Sequence, residues 1–392
     1  MGLWPPLNHE KYGRAGLRAR HHSDLVRGAH PTLTLNFELF RPDLGTLDPE
    51  SPEALGRPGS FQRPPARLRA DDPLAGALRA LLPGALRPPL GEISLEPLRA
   101  SRPVYRFVLP HGHASVVAKF FYAYPPASSQ DRGLAQEYHN YFAAVNLGVA
   151  SGLTPRLLGR WPHLGLGLLL EDIPGPDLDS LLARAVLQGE RGTLDAALEK
   201  LAGLLAFFHT RPLPVMEAPV AEAPAYLEKI RGRLQAMGLL SAEDDRVLQE
   251  EGGAWPERLR RFPDRRVWLH GDATPTNFLF PNGRAVAVDL ERLRPGDRLW
   301  DLSYVAGELK HAWGWRTGDF DGAEPAIRRF FAAYLEAVPD SNGLAERLHR
   351  LNPFYMALGE LRIARNDYLS RSYRLSLIAE ARRCLAFGRR ML

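Results

Sequence analysis

From about residue 91 the apolar positions fall into short runs. The stretches 93–98, 104–109 and 114–121 read as strands, the last two joined by a turn at 110–113. A helix follows, because Leu134, Tyr138, Tyr141, Phe142 and Val145 recur at helical spacing, and two further strand-like runs occupy 156–160 and 165–172. Strand, strand, strand, helix, strand, strand describes a small antiparallel sheet with one helix packed on it. Beyond Pro174 the pattern turns helical, at 178–187, 194–209 and 223–237. Short apolar runs at 267–269, 278–280 and 285–290 interrupt it, and helices resume from Trp300 to the C-terminus. No internal repeat or sustained heptad is present.

Residues 1–90 differ in character. They are rich in proline and arginine with charges of alternating sign, which reads as an extension with little core of its own. Within them Leu33, Leu35, Phe37 and Leu39 alternate as on a half-buried strand, and a short helix is expected over 73–82 with Pro73 in its first turn. His21 and His22 read as a solvated pair. Three segments result: an extension 1–90, a sheet-based lobe 91–172 and a helical lobe 173–392.

The 392 residues exceed a single core, and 45% hydrophobic content is ample for a folded interior. The N-terminal MGLWPPLNHEKYGR lacks the apolar stretch of a signal peptide and no long apolar run follows, so a cytoplasmic location is expected. One cysteine, Cys384, excludes an internal disulfide and a multi-cysteine zinc site. A net charge of +5 permits an anionic partner without demanding one. Nucleic-acid binding has no motif behind it beyond charge. The positive charge is almost all arginine, since Lys11, Lys119, Lys200, Lys229 and Lys310 are the only lysines.

The chemistry concentrates in HGDATPTNFLF, residues 270–280. Asp272 and Asn277 lie on a short loop between apolar strands, where a carboxylate can face an incoming hydroxyl while an amide oxygen reaches a metal. Asp289 closes the strand AVAVDLE, where a carboxylate can bind magnesium that bridges phosphates. Lys119, in SVVAKFF, sits on an apolar strand where an unpaired ammonium is costly, so it needs an anion. Nucleotide phosphates supply one, and Glu137 on the following helix is well placed as the carboxylate that holds the lysine.

HGDATPTN followed by VDLERLRPGDRLWDL resembles the signature of the aminoglycoside phosphotransferase and choline kinase family, a branch of the protein-kinase-like fold. The resemblance spans about residues 91–310. It implies an α+β, bilobal protein-kinase-like fold: an antiparallel-sheet N-lobe with one helix and a larger, mainly helical C-lobe. It implies ATP and Mg2+ as cofactors, Asp272 as catalytic base, and Asn277 and Asp289 as metal ligands. Glu291 becomes a metal-adjacent carboxylate, and Asp301 ties the next helix to the catalytic loop. The loop over the phosphates, 98–106, contains no glycine, so Ser101 and Arg102 are the expected side-chain donors there. LLLEDIPGPDL resembles the family hinge, with backbone groups from Glu171 to Ile173 meeting the adenine edge.

The expected acceptor is a hydroxyl of a small molecule or sugar. Arg362, Arg365, Arg371, Arg374, Arg382, Arg383, Arg389 and Arg390 outnumber the acids of the C-terminal tail, which leans away from a polycationic acceptor, although solvated helix faces account for most of them. Glu308, Lys310 and His311 stand on the helix after Asp301 and can face the acceptor. A sugar kinase acting on an anionic glycolipid of the lipopolysaccharide core is one alternative, and the only one that brings peripheral membrane contact. A catalytically silent nucleotide-binding module, with 1–90 docking a partner, is the alternative from another class. A protein kinase is disfavoured, because the 289–301 stretch leaves little room for a regulated loop.

Overall fold

The computed structural model describes residues 59–60, 66–82, 92–98, 100–109, 114–148, 152–341 and 343–391. The alternating run at 33–39, the His21–His22 pair and the turn at 110–113 lie outside them.

The N-lobe elements run β1 (Gly59–Ser60), β2 (Arg67–Leu68), α1 (Pro73–Leu81), β3 (Ile93–Pro97), β4 (Val104–Val108), β5 (Ser115–Phe120), β6 (Ala123–Tyr124), α2 (Ser129–Asn146), β7 (Leu157–Trp161) and β8 (Leu166–Glu171). Six of these strands form one antiparallel sheet in the order β2-β3-β4-β5-β8-β7, while β1 pairs with β6. Alternation assigns the two faces. Val116, Ala118 and Phe120 of β5 join Leu68, Leu74, Leu78, Ile93 and Phe107 in a buried cluster under α1. Val117 and Lys119 therefore point to the opposite face, the one covered by α2. The helix lies close there: a Cβ on Gly167 of β8 would stand 2.5 Å from a terminal methyl of Leu134 of α2. The expected lobe boundary at residue 91 falls inside this packing, since β2 and α1 complete the sheet and its core. The signal for β2 is two residues long, too short for periodicity to reveal.

The C-lobe comprises α3 (Leu178–Gln188), α4 (Arg191–His209), α5 (Glu222–Ala236), α6 (Ala242–Arg261), β9 (Val267–Leu269), β10 (Phe278–Leu279), β11 (Val286–Ala287), β12 (Arg294–Gly296), α7 (Leu299–Thr317), α8 (Glu324–Ala337), α9 (Leu344–Ala364) and α10 (Arg371–Arg390). Helix α6 begins with a capping box in which Ser241 and Asp244 satisfy each other's amides. Helices α7 and α9 are buried along most of their length, and Gly307 packs against the backbone of Gly359 where they cross. No helix among the described residues is long and apolar enough to cross a membrane. Fold class and lobe architecture thus agree with the expected α+β arrangement.

Candidate active site

Strand β9 pairs antiparallel with β12 and delivers His270, Gly271 and Asp272 in succession. The two leading amides are captured by one carboxylate: His270 N donates to Asp301 Oδ2 at 2.7 Å and Gly271 N to Asp301 Oδ1 at 2.9 Å. Asp301 is fully buried. Burial pushes its pKa up, but His209, His270 and the Gly271 amide outweigh that and hold it below the usual carboxylate range. His209 Nε2 lies 3.2 Å from Asp301 Oδ2 and Nδ1 2.7 Å from the Tyr334 hydroxyl. Burial lowers the His209 pKa and keeps the ring neutral, so Nε2–H donates to the carboxylate and Nδ1 accepts from Tyr334. Gly271 has φ 81°, and a Cβ there would lie 2.2 Å from the Arg292 carbonyl oxygen, which leaves glycine as the sole fit.

The loop then turns back on itself. Asn277 Nδ2 donates to the Asp272 carbonyl at 2.9 Å, and Val288 N donates to the Asn277 carbonyl at 2.9 Å. His270 Nε2 lies 3.0 Å from the Val288 carbonyl, so catalytic loop and Asp289 strand form one bonded unit. Asp289 itself is left-handed, at φ 65° and ψ 61°. Such backbone is uncommon outside glycine, and Asp tolerates it better than most residues.

Lys119 reaches this unit from β5. Its Nζ donates to both Glu137 oxygens, at 2.7 and 2.9 Å, and to Asp289 Oδ1 at 2.9 Å. Burial lowers the ammonium's pKa, but the two carboxylates outweigh that and raise it. Burial lifts Glu137 to about 7 against the pull of Lys119. Asp289 is pushed up by burial and brought below its usual range by Lys119 and then Arg102. Asn140 of α2, which sequence reasoning did not single out, donates to the Leu290 carbonyl at 2.7 Å and the Glu291 carbonyl at 3.2 Å.

The other expected nucleotide residues are placed unevenly. Arg102 turns to Glu291, Nη2 to Oε2 at 2.5 Å, and its Nη1 donates to the Gln130 carbonyl at 2.9 Å. Ser101 accepts the Tyr122 hydroxyl on its carbonyl at 2.9 Å. At the β8 end, the Glu171 carboxylate takes Arg156 Nε at 3.1 Å, and Asp172 takes Arg106 Nε at 2.7 Å and the Ser115 hydroxyl at 2.5 Å. Ile173 is buried just beyond, where the chain leaves the sheet for the C-lobe.

On the far side of Asp272 stands an unanticipated group. Arg362 of α9 donates from Nη1 to Asp272 Oδ1 at 2.9 Å and from Nη2 to Glu308 Oε1 of α7 at 2.7 Å, with its guanidinium 4.5 Å above the Tyr304 ring. Burial raises the Glu308 pKa, partly offset by Arg362. Of the other two α7 candidates, Lys310 turns away from this group to Glu380 at 2.9 Å, and His311 Nδ1 meets the Tyr373 hydroxyl at 2.8 Å. Besides Arg362, five of the tail arginines are bonded within the lobe: Arg371 to the Gly238 carbonyl, Arg374 to the Ala364 carbonyl, Arg382 to Glu243 and Asp244, Arg383 to Glu380 and Asp321, and Arg389 to Glu251. These five are internal ties rather than a free basic face. Cys384 is buried, and burial raises its thiol pKa, which suits an inert packing role.

The donor set fits a magnesium–nucleotide pair. Among the described residues, no hydrogen-bond partner meets Asn277 Oδ1, whose Nδ2 is engaged by the Asp272 carbonyl, or Asp289 Oδ2. One carboxylate and one amide oxygen suit a hard cation that takes its remaining ligands from phosphates and water.

The phosphotransferase enzyme family model matches residues 94–347. No curated protein is a significant sequence match. Among solved structures, the chain is similar to a choline/ethanolamine kinase family protein from Mesorhizobium loti at 18% identity, with 80% of this chain and 93% of that one covered and a TM-score of 0.51. It is also similar to an ethanolamine kinase from Plasmodium vivax at 13% identity, covering 76% and 84% with a TM-score of 0.53. A glucosamine kinase matches at 18% identity, covering 80% and 83% with a TM-score of 0.51. At these identities the likeness speaks for the fold, a bilobal kinase-like one.

Proposed function

The chain belongs to the phosphotransferase enzyme family and is a kinase, and from that premise we propose that it uses ATP and Mg2+ to phosphorylate a hydroxyl of a small molecule or sugar in the cleft between its lobes. The observation that carries this reading is the continuous bonded chain from Lys119 through Asp289, Val288 and Asn277 to Asp272, which joins a phosphate-binding cation, two metal-ligand oxygens and a carboxylate base.

Each residue has a distinct task. Asp272 offers Oδ2 to the acceptor hydroxyl, because Oδ1 is held by Arg362, and it takes up the proton as the oxygen attacks. Asn277 and Asp289 would hold the metal, which would neutralise charge on the transferring phosphoryl group. Lys119, kept in place by Glu137, faces the phosphates, with Ser101 and Arg102 of the glycine-free loop beside them. Backbone groups at 171–173 receive the adenine edge. Catalysis is then mainly positioning and charge neutralisation.

The test is acceptor-stimulated ATP consumption by purified protein across neutral sugars, amino sugars and amino alcohols. Asp272→Ala is expected to lower it at least about a hundredfold with ATP binding kept, and Asp289→Ala to remove the magnesium dependence of nucleotide binding. Wild-type turnover in Asp272→Ala sinks the role of Asp272, and an absence of ATP binding by the wild type sinks the kinase reading.

A further inference from the structure

Arg362 is bonded to Asp272, the carboxylate read above as facing the acceptor. It is buried, it bridges Asp272 and Glu308, and it lies over the buried ring of Tyr304. Two carboxylates and an aromatic face are the surroundings that draw in an ammonium group. Here a side chain of the protein already fills that position, held by two charge-assisted hydrogen bonds and the ring.

Arg316 is bonded to Asp179 at 2.9 Å, and His311 is kept neutral by burial, its pKa lowered to about 4. Asp272 and Glu308 both point at Arg362, so an anionic group on the acceptor would meet two carboxyl groups there. A cationic group finds its place taken. What the arrangement accepts is an uncharged hydroxyl presented to the free Asp272 oxygen, with other hydroxyls hydrogen-bonding around it.

We propose that Arg362 is a specificity-determining residue, a built-in cation that occupies the amine position beside Asp272 and restricts the acceptor to neutral polyhydroxyl compounds. The proposal rests on Asp272 lying at the acceptor end of the site, as argued above. It predicts that removing the guanidinium opens a pocket of two carboxylates and an aromatic ring to small organic cations, and that any side chain keeping a positive charge there keeps the pocket closed. A merely structural role makes no such distinction by charge.

The experiment is calorimetric binding of tetramethylammonium to the full chain, with magnesium and a non-hydrolysable ATP analogue present, for the wild type, Arg362→Gln and Arg362→Lys. Arg362→Gln is expected to bind tetramethylammonium at least tenfold more tightly than the wild type, and Arg362→Lys to bind it no better than the wild type. Equal affinity in wild type and Arg362→Gln overturns the proposal, as does a gain in Arg362→Lys matching that in Arg362→Gln. Should Arg362→Gln fail to fold, the wild type decides through turnover of matched acceptors, glucose against glucosamine and ethylene glycol against choline. A kcat/KM at least tenfold higher for the neutral member supports the proposal, and a preference for the amine overturns it. The ATP analogue reports separately on the kinase reading, since failure to bind it leaves the tetramethylammonium comparison readable.

Discussion

Replacing Asp301 tests how the catalytic loop is held. Its buried carboxylate satisfies two backbone amides and a histidine, so Asp301→Ala leaves three donors without it at once. A hydrogen bond to a charged group contributes about 1.5–3 kcal/mol, and the two amide bonds alone give a loss of roughly 3–6 kcal/mol. Against a typical total of about 5–15 kcal/mol this is a large fraction. Asp301→Asn keeps the volume and one acceptor but turns an NH2 toward the second amide, so a smaller loss of about 2–4 kcal/mol is expected. Urea denaturation followed by tryptophan fluorescence measures both. The Asp301 pKa is depressed in the folded state, so its contribution is complete above the unfolded pKa and fades only as pH falls through the folded one. The gap between wild type and variant should therefore be flat between about pH 6 and 8. Activity should fall in both variants, because the amides that orient Asp272 are released. A loss below about 1 kcal/mol in Asp301→Ala would refute the reasoning, since it would mean the loop amides find partners without this carboxylate.

Three further outcomes are expected. Gly271→Ala forces a Cβ against the Arg292 carbonyl in left-handed backbone, so ATP turnover should collapse and stability drop by at least about 2 kcal/mol, read from kinetics and a melting curve. His311 has its pKa lowered to about 4, so the unfolded chain binds the extra proton as pH falls below about 6.5; wild type should lose about 2 kcal/mol between pH 7 and 5 from this group, and His311→Gln should lose correspondingly less in urea titrations. Glu360 is buried with neither carboxyl oxygen hydrogen-bonded among the described residues, and burial raises its pKa well above the ordinary range, so Glu360→Leu should raise the urea midpoint, by about 1–3 kcal/mol of stability.

Legibility followed the range of the interactions. Strands 93–97, 104–108 and 115–120 and helices α2 to α5 were readable because each carries its own alternation or helical stripe. The approach of Lys119 to Glu137 was readable through the kinase resemblance, which calls for a helix carboxylate behind the strand lysine. Asp301 was readable as the anchor of the catalytic loop only through its place in the WDL motif, since the bonded amides lie 31 and 30 positions away. Helix α6 was not read: Gly252, Gly253 and Pro256 break its pattern, while Ser241 with Asp244 was the local signal available. Arg362 looked like one more tail arginine, because Asp272 is 90 positions away and nothing local distinguishes it from Arg365. Arg102 was expected to face phosphate, and its bond to Glu291 across 189 positions lies beyond any local pattern.

Three separate N-lobe side chains converge on residues 289–291: Lys119 on the Asp289 carboxylate, Asn140 on the carbonyls of Leu290 and Glu291, and Arg102 on the Glu291 carboxylate. The same stretch runs on into β12, which is stitched to β9 in the other lobe. These three residues thus work as a pivot pin shared by two bodies. A swing of the lobes large enough to let a nucleotide in must either drag the pin or shear several polar ties together. If nucleotide binds between the lobes as proposed above, opening the cleft and disturbing the carboxylate of Asp289 are mechanically coupled through its bond to Lys119.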